Sequence, residues 1–306
     1  MDYELAIIGA GPAGYSAVIY AARSGITTAL FDRGDGGGRA VLSPKIENYA
    51  GFESISGMDL MAKMKQHASK YATMHLYEEV KTIQRSKDTF SIETTKEHYS
   101  VGAILLCTGT EHKTLNIPGE TEFLGKGVSY CATCDGFFFK GKQVAVMGGG
   151  NTALMEAIFL KQIGCKSVTL VHRREQLRAE KIYETEAREK QVQILLNKAA
   201  DRISGKEVVE QLHLTDVASG RSSVLAVDGV FVSVGDMPQN ELAKTLGVAL
   251  DDQGYVMVDR QQRTNIKGVY AAGDITGGVR QVITACAEGA IAALASTEVL
   301  GKKYPY

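Results

Sequence analysis

The chain has 306 residues, with 34 Lys and Arg against 35 Asp and Glu, so its net charge is −1. That length predicts two domains of ordinary size, and so balanced a charge leaves no electrostatic footprint for nucleic acid or for an anionic membrane surface. No apolar run reaches membrane-spanning length, the start Met1-Asp2-Tyr3-Glu4 lacks a basic, cleavable leader, and five cysteines with one close pair do not make a secreted disulfide framework, so a reducing cytoplasm is the expected compartment.

Leu5 to Ile8 reads as a short apolar strand. It runs into Gly9-Ala10-Gly11-Pro12-Ala13-Gly14 and an alanine-rich helix that stops at Gly25, and a second apolar strand, Ile26 to Phe31, ends at Asp32. This is the dinucleotide-binding fingerprint in its full context. Glycines allow the turn and a close backbone approach, the pyrophosphate rests on the helix N-terminus, and the acidic residue accepts a hydrogen bond from a ribose hydroxyl. Ala103 to Cys107 reads as another strand, leading to Thr108-Gly109, and Pro118 marks a crossing between domains.

The next segment, Cys131-Ala132-Thr133-Cys134-Asp135, sets two cysteines at redox-dithiol spacing directly before a carboxylate. Two intervening residues let the sulfurs bond reversibly, the attacking species is a thiolate, and Asp135 is placed to give or take its proton. A zinc site would need four ligands. Cys107, Cys165 and Cys286 are scattered, and none of the six histidines pairs at ligand spacing, so no metal is expected. The three remaining cysteines lie in apolar surroundings and read as buried, inert thiols. Phe137-Phe138-Phe139 fits a protein-facing loop and a set of core aromatics equally well.

The first layout then returns: a strand Val144 to Met147, the turn Gly148-Gly149-Gly150-Asn151-Thr152-Ala153, a helix to Gly164 and a strand Ser167 to Val171. Gly148 stands as far from Gly9 as Gly164 does from Gly25, so the two units are expected to superimpose without a gap, with Val171 opposite Asp32. The second unit has then lost its acidic ribose anchor. His172-Arg173-Arg174 follows, with Arg178 one turn further on, and such a run suits a 2′-phosphate, hence NADPH rather than NADH; the plainer reading is a solvated basic patch. Gly229 to Gly235 answers the strand before Gly109, and Asp236-Met237-Pro238-Gln239-Asn240 reads as the second crossing. Gly268 to Asp274 gives another strand ending in Gly-Asp, before an amphipathic helix from about Arg280 to Leu300. Nothing in the second unit needs this last segment, so it is assigned to the first. The expected fold is α/β with two Rossmann-like dinucleotide-binding domains, one discontinuous over residues 1–112 and 243–306, the other inserted at 113–242.

In this order the motifs resemble those of the low-molecular-weight thioredoxin reductases of bacterial and archaeal type, nearly end to end, including the Ile46-Glu47-Asn48-Tyr49 segment and Gly273-Asp274 with Arg280-Gln281-Val282. The resemblance implies FAD on the first unit, at Gly9, Gly11, Pro12, Ala13 and Gly14 and at Asp32 and Arg33. It puts Val80 near the adenine, Asp274 on the ribityl chain, and Gln281 and Val282 at the isoalloxazine. Gly38, Arg39, Asn48, Thr108, Gly109, Gly273 and Arg280 complete that set. NADPH is then expected at Gly149, Gly150, Asn151 and Thr152 and at His172, Arg173, Arg174 and Arg178. The resemblance also implies Cys134 beside the flavin, Cys131 attacking the disulfide of a thioredoxin-like protein, a homodimer, and a rotation of one domain against the other at the two crossings.

The chain departs from the family pattern in three places. Arg39 follows Gly37-Gly38 where a glutamine is usual, Asn151-Thr152 replaces Asp-Ser, and Asn48-Tyr49-Ala50-Gly51 replaces Asn-Trp-Pro-Gly. These changes bear on flavin tuning and partner choice rather than on the class of activity. A flavin-dependent dithiol oxidase, or a reductase driven by ferredoxin or a deazaflavin, would have no use for the arginine run. A redox-sensing binding protein would not turn NADPH over steadily with a disulfide acceptor.

Overall fold

Strands covered by helices on both faces must be apolar throughout, and Leu5 to Ile8 meets that condition. In the computed structural model, which describes residues 1–43 and 45–303, these residues form most of β1 (Tyr3–Ile8). α1 (Pro12–Arg23) follows, with Pro12 in its first turn where a missing N–H costs nothing. Then come β2 (Thr28–Phe31), α2 (Gly57–Ala68), β3 (Thr73–His75) and an antiparallel run of β4 (Val80–Ser86), β5 (Thr89–Thr94) and β6 (His98–Leu106). Their order in the sheet is β3-β2-β1-β6-β5-β4.

After β7 (Thr110–His112) the chain builds a second sheet. Its elements are β8 (Val128–Ser129), α3 (Ala132–Asp135), β9 (Gln143–Met147), α4 (Asn151–Gln162), β10 (Ser167–Val171), α5 (Lys181–Glu189) and β11 (Gln193–Leu195). An antiparallel meander of β12 (Lys198–Gly205), β13 (Val209–Asp216) and β14 (Ser222–Ala226) precedes β15 (Gly229–Val232). The parallel sheet runs β11-β10-β9-β15-β8. Its first four places repeat β3-β2-β1-β6, as the duplicated glycine motif predicts.

The return leg comprises β16 (Asp236–Pro238), α6 (Glu241–Thr245), β17 (Val269–Ala271) and α7 (Val282–Ser296). β17 pairs with β6 in parallel, which puts the last segment in the first sheet. Two compact units result, residues 1–111 with 237–306, and residues 112–236. Residues 237–242, expected with the second unit, go with the first, because Leu242, Ala243 and Leu246 bury themselves with Val248 and Val256 against Phe31 and Phe90. α7 is shorter than its periodicity suggests. It starts at Val282, because Gln281 and Thr284 form a reciprocal capping box that fixes the first turn, and it ends at Ser296. It packs so closely on α1 that a Cβ at Gly289 would sit 2.1 Å from the Ala13 carbonyl oxygen.

The strand register corrects one expectation. Ile8 pairs with Phe31 in the first unit and Met147 with Val171 in the second. The residue opposite Asp32 is therefore His172, not Val171, which is buried as the last residue of its strand. Leu5 pairs with Thr28 but Val144 with Val168, so the second unit holds one additional residue between Cys165 and Val168 and the gapless superposition fails there.

Candidate functional site

Each glycine turn opens onto a twelve-residue helix whose N-cap is itself a glycine, Gly11 for α1 and Gly150 for α4, with no side-chain cap. A Cβ at either glycine would meet nothing within 4 Å. The first main-chain N–H groups of both helices, among them those of Ala13 and Gly14 and of Asn151 and Thr152, lack intrahelical acceptors, and there is room above them. Free donors with room above are what a pyrophosphate requires, so both turns fit a dinucleotide.

Around the first turn the fold gathers residues far apart in sequence. Asp32 Oδ2 accepts the Ala10 N–H (2.7 Å) and Oδ1 the Gly34 N–H (2.8 Å), so this carboxylate braces the turn while each oxygen keeps a lone pair for a ribose hydroxyl. Gly37 donates to the Ala10 carbonyl at 2.6 Å, which lays the three-glycine loop, Gly38 included, along the turn. Arg39 donates to the Thr110 hydroxyl and stands 3.8 Å from Asp274. Asn48 donates to Gln281 Oε1 at 2.9 Å across 233 residues of chain. Val282 is partly buried against Ile46 and Leu60.

Gly273 donates its N–H to Glu288 Oε2 at 2.7 Å, a partner that no motif indicates. Burial pushes the Glu288 carboxyl above the ordinary range, against the pull of Gly273 and Thr276. Thr108 and Gly109 both bond the main chain of Gln239. Arg280 reaches the Tyr255 hydroxyl at 3.3 Å, while Arg33 pairs with Glu111 at the surface. The Val80 side chain lies in the core.

In the second unit Asn151 commits its side chain to Glu180, donating to Oε1 (2.7 Å) and accepting the Glu180 N–H (2.8 Å). Arg178 donates its N–H to the Gly149 carbonyl at 2.7 Å, and the Arg174 carbonyl accepts from Asn197. These bonds tie the arginine loop to the glycine turn. Arg173, Arg174 and Arg178 are exposed, and among the described residues none of them has an ion-pair partner. His172 is different. Its ring is buried against Gly149, where a Cβ would fall 2.3 Å from Nδ1, and Nε2 has no partner among the described residues. Burial, then Arg178, Arg174 and Arg173, hold it below the usual histidine range against an opposing contact with the Gln176 main chain, so it adds nothing to the loop's positive charge.

Cys131 and Cys134 are joined in a disulfide. Cys131 is the N-cap of α3, where its Sγ accepts the Cys134 N–H at 3.2 Å and lies 3.4 Å from the Thr133 hydroxyl. Just before it, Tyr130 donates to Glu120 at 2.7 Å and stacks on His112, which bonds Asp236 at 2.7 Å. Asp135 accepts from Ser129 at 2.6 Å, and burial, the larger influence, raises its carboxyl above the ordinary range. The aromatic run divides. Phe139 is buried edge-on to Phe231, Phe138 packs on the same core, and Phe137 is 59% exposed. Cys107 and Cys165 are free and buried, and burial raises both thiols.

A family model described as pyridine nucleotide-disulphide oxidoreductase matches residues 3–289. The chain belongs to that family. Within it the chain is 39% identical to the thioredoxin reductase of Bacillus subtilis over 296 residues, 95% of this chain and 92% of that one. It is 40% identical to the thioredoxin reductase of Treponema pallidum over 302 residues, 98% and 97% of the two chains. The crystal structure of thioredoxin reductase from Streptococcus pyogenes superimposes with a TM-score of 0.92 at 37% identity, covering 98% of each chain.

A pyridine nucleotide-disulphide oxidoreductase needs two nucleotide sites and a dithiol, and this chain has a closed cysteine pair directly followed by the Asp135 carboxyl group in the unit that carries the arginine loop. Reading the sequence missed Glu288 and Ser129, because a lone glutamate on a helix and a serine in a two-residue strand form no pattern. The contact between His172 and Gly149 yields one expected result. Gly149→Ala should cost the second unit about 1–3 kcal/mol, as overpacking does, since the buried imidazole would have to shift to admit the Cβ. Thermal denaturation should record that loss, and flavin content should be unchanged.

Proposed function

We propose that this chain is an NADPH-dependent thioredoxin-disulfide reductase, in which electrons from NADPH on the second unit pass through FAD on the first to the Cys131–Cys134 disulfide and then to a thioredoxin-like protein. The observation that carries this reading is a closed redox disulfide next to a half-buried carboxyl group whose pKa is raised by burial, in the unit whose glycine turn is bordered by three exposed arginines. Arg173, Arg174 and Arg178 hold the 2′-phosphate by charge-assisted hydrogen bonds, and the N-terminus of α4 holds the pyrophosphate. On the first unit the N-terminus of α1 takes the FAD pyrophosphate, Asp32 a ribose hydroxyl, and Asp274 the ribityl chain, while the Asn48–Gln281 pair borders the isoalloxazine. When bound, the flavin relays two electrons between nicotinamide and disulfide.

Cys131 is the sulfur that attacks the partner. A thiolate there is stabilised by the Cys134 N–H and lies within reach of the Thr133 hydroxyl, and Asp135 supplies the proton that the other sulfur needs. A homodimer in a reducing cytoplasm completes the proposal.

The test is an anaerobic assay of the purified holoenzyme with NADPH or NADH and each thioredoxin-like protein of its own organism. At least one such protein should be reduced with NADPH and much more slowly with NADH. Equal use of NADH would remove the phosphate site from the proposal. Oxidation of a small dithiol by oxygen, without any NADPH turnover, would favour a dithiol oxidase instead.

A further inference from the structure

Ser129 ends the two-residue strand β8, is 3% exposed, and has three polar neighbours. The Cys131 N–H lies 3.0 Å from its hydroxyl oxygen, Asp135 Oδ2 at 2.6 Å, and the Cys131 carbonyl oxygen at 3.4 Å. The N–H can only donate, so the serine oxygen accepts it. The serine then has one hydrogen to place. It goes to the carboxylate, because 2.6 Å is within the O–H···O range and 3.4 Å is beyond it. Oδ2 is thereby fixed as an acceptor. Oδ1 is buried and has no partner among the described residues. An unpartnered anionic oxygen is far costlier to bury than a neutral hydroxyl, so the proton belongs on Oδ1.

We propose that Ser129 is a positioning residue that divides the two oxygens of Asp135, holding Oδ2 as an acceptor and leaving Oδ1 to carry the proton delivered to the opening disulfide. The inference rests on the reading of the cysteine pair and Asp135 given above. Two electrons from the flavin break the S–S bond. The Oδ1 proton goes to Cys134 Sγ, and Cys131 Sγ is left as the thiolate held by the Cys134 N–H. Asp135 is then a carboxylate and regains a proton from water.

The elements around Asp135 carry few charges. β8 and the 3-10 turn Gly136–Phe139 have no titratable side chain, and α4, which packs on α3, has Glu156 and Lys161. Neither of those two acts on the Asp135 carboxyl, whose position is set by burial and, in the opposite direction, by Ser129.

Stopped-flow measurement of flavin reoxidation by the disulfide, after reduction of the holoenzyme with NADPH and across a range of pH, tests this. The rate should fall as pH rises through the Asp135 titration. In Ser129→Ala the ionised carboxylate loses its donor, so that fall should move to higher pH by about one to two pH units. Ser129→Thr, which keeps the hydroxyl, should restore the original profile. Infrared titration of the oxidised wild-type holoenzyme should show a carboxylic-acid C=O band that survives above the usual carboxylate range and is missing from Asp135→Asn. An unmoved or downward-shifted profile in Ser129→Ala, or no such band, overturns the assignment of the two oxygens. If Asp135→Asn reoxidises its flavin at the wild-type rate, the acid role of Asp135 itself fails, a separate outcome.

Discussion

Cys134→Ser is expected to bleach its flavin on mixing with NADPH at about the wild-type rate and then to stall, with turnover of a thioredoxin-like protein at background. Hydride transfer does not involve the cysteines, whereas every later step needs the disulfide that Cys131 and Cys134 now form. The remaining Cys131 keeps a main-chain N–H from position 134 for its thiolate, so it should trap the partner as a mixed disulfide that cannot be resolved. Stopped-flow absorbance and a non-reducing gel read the two halves of this result. Retained turnover would remove the cysteine pair from the mechanism, and a mixed disulfide that formed only through Cys134, in Cys131→Ser, would exchange the two roles.

Replacing Arg173 and Arg174 together with alanine should weaken NADPH binding by about 2–4 kcal/mol at low ionic strength, roughly 30- to 1,000-fold, and leave NADH nearly unchanged. The position that decides this is His172 rather than Val171. In the place of Asp32 stands a buried imidazole held neutral, which offers neither a carboxylate to a 2′-hydroxyl nor a charge to a 2′-phosphate. On the proposed reading the exposed arginines carry the discrimination by themselves. Their exposure has a second consequence: the preference for NADPH should narrow as salt is added, because charges at the surface are screened. Fluorescence titration of both nucleotides at two ionic strengths checks the affinity and its salt dependence. A wild-type enzyme that binds NADH as tightly as NADPH would refute the phosphate site.

Both predictions draw on features that lie close together along the chain, which is why the amino-acid sequence alone makes them legible. A strand, a glycine turn and a helix occupy some twenty consecutive residues, and the requirements of each (an apolar run, room for the backbone, alanines at helical spacing) are written into those residues. The cysteine pair with its acid spans five. Repetition of the first layout implies the two-unit architecture, and the second Gly-Asp strand implies the return to the first sheet that β17 makes.

Distance along the chain marks where that legibility ends. The additional residue between Cys165 and Val168 falls in a turn with no periodicity of its own, so only the pairing of β9 with β10 could show that His172 replaces Asp32. The helical period of α7 runs on past both of its true ends, and the capping box at Gln281 sets its start. Phe137, Phe138 and Phe139 are identical in composition, yet a 3-10 turn sends one outward and two inward. The bonds from Asn48 to Gln281, Gly273 to Glu288 and Ser129 to Asp135 join single polar residues whose neighbours in sequence say nothing of them. Motifs are local, and the sequence determines them as far as backbone sterics and hydrophobic period reach; the upward shift of the Asp135 carboxyl and the downward shift of the His172 ring follow from burial and from partners that only the folded chain brings close.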